Sequence, residues 1–105
     1  MFRMLALLLL LFQLQSVPSG KNIPRVHIVE FKGMRLVPEV LAINKGDTVI
    51  WVNKDLVTHN VTEKTGSWAS PSILRNKQWK RSIRSTTDYY CSLHPVMKGR
   101  IEVKR

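Results

Sequence analysis

The sequence predicts an all-β sandwich of about seven to eight short strands. Three observations lead there. Short segments of alternating apolar and polar residues recur along the chain. Gly, Pro, Asn and Asp punctuate them at short intervals. No long helical periodicity and no internal repeat is present. A length of 105 residues allows one such domain.

The first residues stand apart. Met1-Phe2-Arg3 is a short positive start, and Met4 to Phe12 is a nearly unbroken apolar run. A membrane-spanning helix needs about 20 apolar residues, so this run is too short. It has the length of a secretory apolar region. Residues 1–19 are therefore expected to be a signal peptide and residues 20–105 the exported domain. An uncleaved membrane anchor is the alternative, and Pro18 makes the cleavage site imperfect. Once the leader is removed, no stable membrane insertion is expected.

The strands follow in order. Lys21 to Pro24 is a loose lead-in, and Arg25 to Phe31 is β-branched and roughly alternating. His27 lies inside that strand with no other ligand type close in sequence, so it reads as a strand side chain. Lys32-Gly33 is a turn signal. Pro38 keeps the next segment at a strand start or a sheet edge. Val40 to Ile43 is short and apolar, and Asn44-Lys45-Gly46-Asp47 turns the chain into Thr48 to Val52. There Val49 and Trp51 share one face. Both faces carry bulk, as expected where sheet packs on sheet.

Residues 62–76 are rich in Gly, Ser and Pro and read as loop, with Trp68 expected to pack over the sandwich edge. Arg75 to Arg84 holds five basic residues among ten. Alternation there puts Lys77, Trp79, Arg81 and Ile83 on one face. Arg81 on that face requires a partner or an edge position. The stretch is either a solvated strand face or a basic docking stripe. Asp88 to Cys91 and Gly99 to Lys104 complete the strands.

The chemistry concentrates in Cys91-Ser92-Leu93-His94-Pro95-Val96-Met97. Seven residues offer a thiol, an imidazole and a thioether. A thiolate suits soft or borderline metals, and imidazole suits copper, zinc, iron and nickel. A thioether is a poor zinc ligand but an acceptable weak axial ligand for copper. Two His, one Cys and a distant Met describe a copper electron-transfer site. The second His must come from elsewhere, and His59 is the best candidate.

Cys91 is the only cysteine, so no disulfide within the chain can form. A free thiol in an oxidising compartment is liable to oxidation. A buried, metal-bound thiolate avoids that, and the metal adds binding free energy to folding. An inert buried thiol or a bridge between chains are the alternatives, but neither accounts for His94 and Met97.

These residues resemble the cupredoxins, the small type 1 blue copper proteins, and most of all the amicyanin-like and pseudoazurin-like members. Gly46-Asp47-Thr48-Val49-Ile50-Trp51-Val52-Asn53, His59-Asn60-Val61, and Tyr89-x-Cys91-x2-His94-Pro95-x-Met97-x-Gly99 carry the resemblance. Met34-x3-Pro38 fits as well. It runs from about Arg25 to Val103, and residues 62–84 match poorly. It implies a Greek-key sandwich holding one copper ion on His59, Cys91, His94 and Met97. It implies that Asn53 ties the His59 segment to the loop after Cys91, with the Ser92 hydroxyl as partner. The Asn60 backbone N–H would point at the Cys91 sulfur. Tyr89 resembles the tyrosine of Greek-key sandwiches whose hydroxyl reaches back to backbone.

The functional expectation is an exported electron carrier, in a bacterial periplasm, shuttling single electrons between redox proteins. With all four ligand positions filled, no coordination site is left for substrate, unlike a catalytic metal. Three His in the whole chain cannot build the further centres of copper oxidases or reductases. No paired carboxylates, nucleophile elbow or phosphate loop is present, so a non-enzyme is expected. A copper-delivery protein of the same fold is the alternative, and a metal-free adhesion domain a third reading. Formal net charge of +10 favours an acidic redox partner such as a cytochrome or dehydrogenase. Export and the absence of any recognition-helix or zinc-finger pattern argue against nucleic acid. A monomer is expected.

Overall fold

The computed structural model describes residues 23–105. The expected signal peptide, residues 1–19, lies outside the described residues. Eight strands form two four-stranded sheets. They are β1 (Val26–Phe31), β2 (Leu36–Val37), β3 (Val40–Asn44), β4 (Thr48–Asn53), β5 (Thr62–Glu63), β6 (Gln78–Ser82), β7 (Thr87–Cys91) and β8 (His94–Lys104). One sheet has the order β2-β1-β4-β6 and the other β3-β8-β7-β5. β1 runs parallel to β4, and β3 parallel to β8. Each of these pairs joins strands distant in sequence, which the crossings between sheets make possible. No helix among the described residues is long and apolar enough to cross a membrane.

The core is the set of inward residues the alternation sets. Val49, Trp51 and Asn53 on β4 are buried, while Thr48, Ile50 and Val52 between them are half-buried on the outer face. Val29 and Phe31 on β1, Ile43 on β3, and Tyr89 and Cys91 on β7 meet them. Trp51 is fully buried. Truncating a core aromatic of this kind costs about 3–5 kcal/mol.

Trp68 packs against the core, as expected, and its ring lies 5.9 Å from Trp79. Arg81 has both an edge and a partner. β6 is the edge strand of its sheet, and the Arg81 guanidinium sits 4.3 Å above the Trp68 ring. His27 is a strand side chain whose Nε2 bonds Asp47 at 2.8 Å.

Two expectations change. The last strand begins at His94, not Gly99, because Cys91 and His94 pair across the Ser92-Leu93 turn. The expected metal loop is therefore the tip of a hairpin. Tyr89 is buried, but its hydroxyl does not reach a backbone group as the resemblance implied and has no hydrogen-bond partner. The ring lies across Gly99 on β8, where an added Cβ would stand 2.3 Å from Cζ. This takes the hydroxyl to the neighbouring strand instead of to a corner backbone. Burial pushes the phenol up to about 12.

The register fixes which end holds the chemistry. Phe31 pairs with Asn53, and Val52 with Gln78. The end of β4, the start of β6 and the loop from 54 to 61 therefore share one pole. Asp47 and the start of β1 share the other.

Candidate metal centre

Cys91 ends β7 facing inward and is fully buried. The two-residue turn that follows returns the chain at once, so His94 lands beside it. His59 arrives from the loop after β4. A single bridge to Ile73, with bonds of 3.2 Å and 2.8 Å in the two directions, holds its backbone. The result brings three donor atoms together. Cys91 Sγ lies 3.7 Å from His59 Nδ1 and 4.0 Å from His94 Nδ1. All three atoms fall within 4.8 Å of one another.

These spacings fit a metal. With bonds of roughly 2.0–2.3 Å, N and S donors in one plane around an ion stand about 3.8 Å apart. The donor set of one thiolate and two imidazoles suits copper. Met97, three residues past His94, is buried on the same hairpin. His59 is fully buried, whereas His94 is half-buried and reaches the surface.

Around the donors, each polar atom has a task. Asp55 Oδ2 bonds His59 Nε2 at 2.8 Å. That makes Nε2 the protonated nitrogen and leaves the Nδ1 lone pair turned toward Cys91. Phe31 stacks on the His59 ring, 4.9 Å between centroids and 21° between planes. The Asn60 backbone N–H donates to Cys91 Sγ at 3.4 Å, as the resemblance implied. Such a bond helps hold the sulfur in place.

The tie between the two segments differs from expectation. Asn60 makes it, not Asn53. The Asn60 side chain donates to Ser92 Oγ at 2.7 Å and accepts from Ser92 N at 2.9 Å. Asn53 is buried one loop away, where it donates to the carbonyls of Val57 and Ile73 and accepts from Asp55 N. Its inward position on β4 faces the 54–58 loop, out of reach of the hairpin. Asn53 thus shapes the loop that carries Asp55. Asp55 itself was missed in the sequence. A carboxylate four residues before a candidate His was the available signal.

No family model matches the chain. Amicyanin-alpha of Methylorubrum extorquens is 32% identical over 97 residues, covering 86% of this chain and 77% of that protein.

The chain belongs to the amicyanin family.

The crystal structure of amicyanin from Paracoccus versutus superposes with a TM-score of 0.68 at 26% identity, covering 85% of this chain and 86% of that one. The copper-containing nitrite reductase of Thermus scotoductus shares the fold with a TM-score of 0.69 at 24% identity. This chain spans 24% of that enzyme's length. As an amicyanin-family member, the protein is a cupredoxin, a blue copper electron carrier and not an enzyme. It takes one copper ion.

Proposed function

We propose that His59, Cys91, His94 and Met97 would hold the copper ion, with Met97 as the weakest ligand, and that the protein carries electrons between exported redox proteins. Copper supplies the one-electron Cu(I)/Cu(II) couple. The observation that carries the ligand set is the convergence of His59 Nδ1 from one chain segment with Cys91 Sγ and His94 Nδ1 from another. Asp55, Phe31 and Asn60 fix the donors before any ion binds, so little rearrangement accompanies a change of charge.

His94 is the one donor of the three with solvent access, and it offers the short exit for an electron. Exposed Leu93 and Val96 flank it in sequence. Such an apolar rim favours close approach to a partner but guides it little over distance. Guidance comes from charge. Arg75, Lys77, Lys80, Arg81, Arg84 and Lys98 are all exposed. An acidic cytochrome or dehydrogenase is the partner this surface suits. The leader-like residues 1–19 support export to a bacterial periplasm. We expect a monomer.

A copper titration followed by visible absorption tests the ligand set. One equivalent should give an intense blue charge-transfer band that bleaches and returns with reduction and oxidation. Colourless, exchangeable Cu(I) alone, or no stoichiometric binding, would reject it.

A further inference from the structure

Four aromatic rings form a line from the surface to the metal pole. Trp68 and Trp79 are 5.9 Å apart between centroids, Trp79 and Trp51 are 5.7 Å apart, and Trp51 and Tyr89 are 5.4 Å apart. The outer two rings are more exposed than the inner two. Trp68 and Trp79 are half-buried, Trp51 is fully buried, and Tyr89 is 2% exposed. Tyr89 and Cys91 then share the inward face of β7, two residues apart. The sheet register builds the central step, because Trp51 and Trp79 are directly paired across β4 and β6.

We propose that Trp68, Trp79 and Trp51 form a hole relay by which the reduced copper centre repairs one-electron oxidation of the protein surface. The proposal rests on the copper reading above. Electron tunnelling falls steeply with distance, and rings in near contact replace one long step by several short ones. An indole radical cation is a far stronger oxidant than a type 1 copper centre, so the flow toward the metal is downhill. A one-electron oxidant takes an electron from Trp68. Trp79 refills Trp68, and Trp51 refills Trp79. A reduced copper ion held by His59, Cys91 and His94 would supply the electron that refills Trp51 past the Tyr89 ring, leaving the copper oxidised by one electron. The net change is one electron from Cu(I) to the oxidant, with no bond made or broken.

Three local features favour this direction. The Arg81 guanidinium lies 4.3 Å over Trp68. A cation at a ring face disfavours a positive hole on that ring, which pushes the hole inward. Trp51 Nε1 is buried with no hydrogen-bond partner. The Tyr89 hydroxyl beside it is too weak a base to hold its proton, so an oxidised Trp51 stays a mobile cation instead of a trapped neutral radical. Tyr89 Oη also lacks a partner. Oxidising a phenol requires somewhere for its proton to go, so Tyr89 couples the rings without becoming a resting place.

The test is pulse radiolysis of the copper-loaded, reduced protein with azide radical, a one-electron oxidant of indoles. The visible band of the indole radical should decay as the blue band grows, at one rate independent of protein concentration. Trp79→Phe keeps a ring in the packing but removes the oxidisable indole. It should slow the blue growth by an order of magnitude or more. Equal rates in the two proteins would overturn the relay. So would indole decay without blue growth, provided that ferricyanide turns the same sample blue. A sample that ferricyanide cannot turn blue would instead refute the copper site. The relay is then read in the metal-free protein. Azide oxidation followed by peptide mass spectrometry should find indole oxidation products on Trp79 and Trp68 together. In Trp79→Phe they should be confined to Trp68 and other exposed rings. Products on Trp68 alone in the unaltered protein would overturn it.

Discussion

Asp55 and His59 are joined at 2.8 Å, and the same carboxylate anchors the β1–β2 turn. Asp55 Oδ1 accepts from Gly33 N at 2.8 Å and Oδ2 accepts from Met34 N at 3.1 Å. One side chain therefore sets the tautomer of a buried His and fixes its position against a neighbouring turn. A backbone-anchored carboxylate of this kind keeps the ring it holds from turning.

Asp55→Ala should weaken copper binding by about 10–100-fold while leaving the fold intact. Competition against a chelator measures the loss. Asp55→Asn keeps the side-chain shape but turns an amide N–H toward one of the N–H donors of Gly33, Met34 and His59, so it should recover only part of the loss. Affinities unchanged in both variants would show that Phe31 stacking and the Ile73 bridge suffice to hold His59.

Cys91→Ser should abolish the blue band, because the thiolate supplies the charge transfer. Met97→Leu should keep the band and raise the reduction potential, because a weak axial donor favours Cu(II). Spectroelectrochemistry reads both. A blue band surviving in Cys91→Ser would remove Cys91 from the ligand set.

Gly99→Ala drives a methyl group into the Tyr89 ring, whose Cζ would be 2.3 Å away. The ring is wedged beneath β8 and cannot swing aside cheaply. The expected destabilisation is about 1–3 kcal/mol, as for other overpacked cores. Thermal unfolding checks it. Tyr89→Phe removes an unpartnered buried hydroxyl and should be neutral or stabilising.

Asp47 gives a pH-dependent prediction. The Arg25 backbone N–H, His27 and the Asn44 backbone N–H hold its carboxyl down to about 2, below the usual 3.8. Its folded value is the depressed one, so its contribution to stability is present above the unfolded value. It is lost progressively as pH falls from 3.8 toward 2. Asp47→Asn should flatten stability across that window, and acid titration followed by circular dichroism will show whether it does.

Partner kinetics should follow charge. Steering of this type raises an on-rate by about 10 to 10³, and screening shortens to about 10 Å at 0.1 M salt. The rate with an acidic partner should therefore fall as salt rises, and Lys98→Glu should lower it further with the blue band intact. Arg100→Glu should matter less. The Arg100 guanidinium already bonds both oxygens of Asp88, at 2.9 Å and 3.0 Å, and Glu102 at 3.2 Å. Stopped-flow rates that rise with salt would contradict this.

Much was legible in the sequence because strand periodicity and donor chemistry are local. Alternation around Trp51 sets which side chains face inward, and Cys91, His94 and Met97 lie within one short stretch. The choice of His59 as the candidate third donor was open to inference because few His compete for the place. The tertiary structure decided what depends on distance between segments. Asn60, not Asn53, ties the two donor segments, because Asn53 points at the 54–58 loop while Asn60 faces Ser92. Arg100 is paired and not free, because β7 sets Asp88 opposite it. The Trp68–Trp79–Trp51–Tyr89 line draws on an irregular loop, two strands of one sheet and a strand of the other. Periodicity states which face a residue takes, but only the packing of sheet on sheet states which rings meet there.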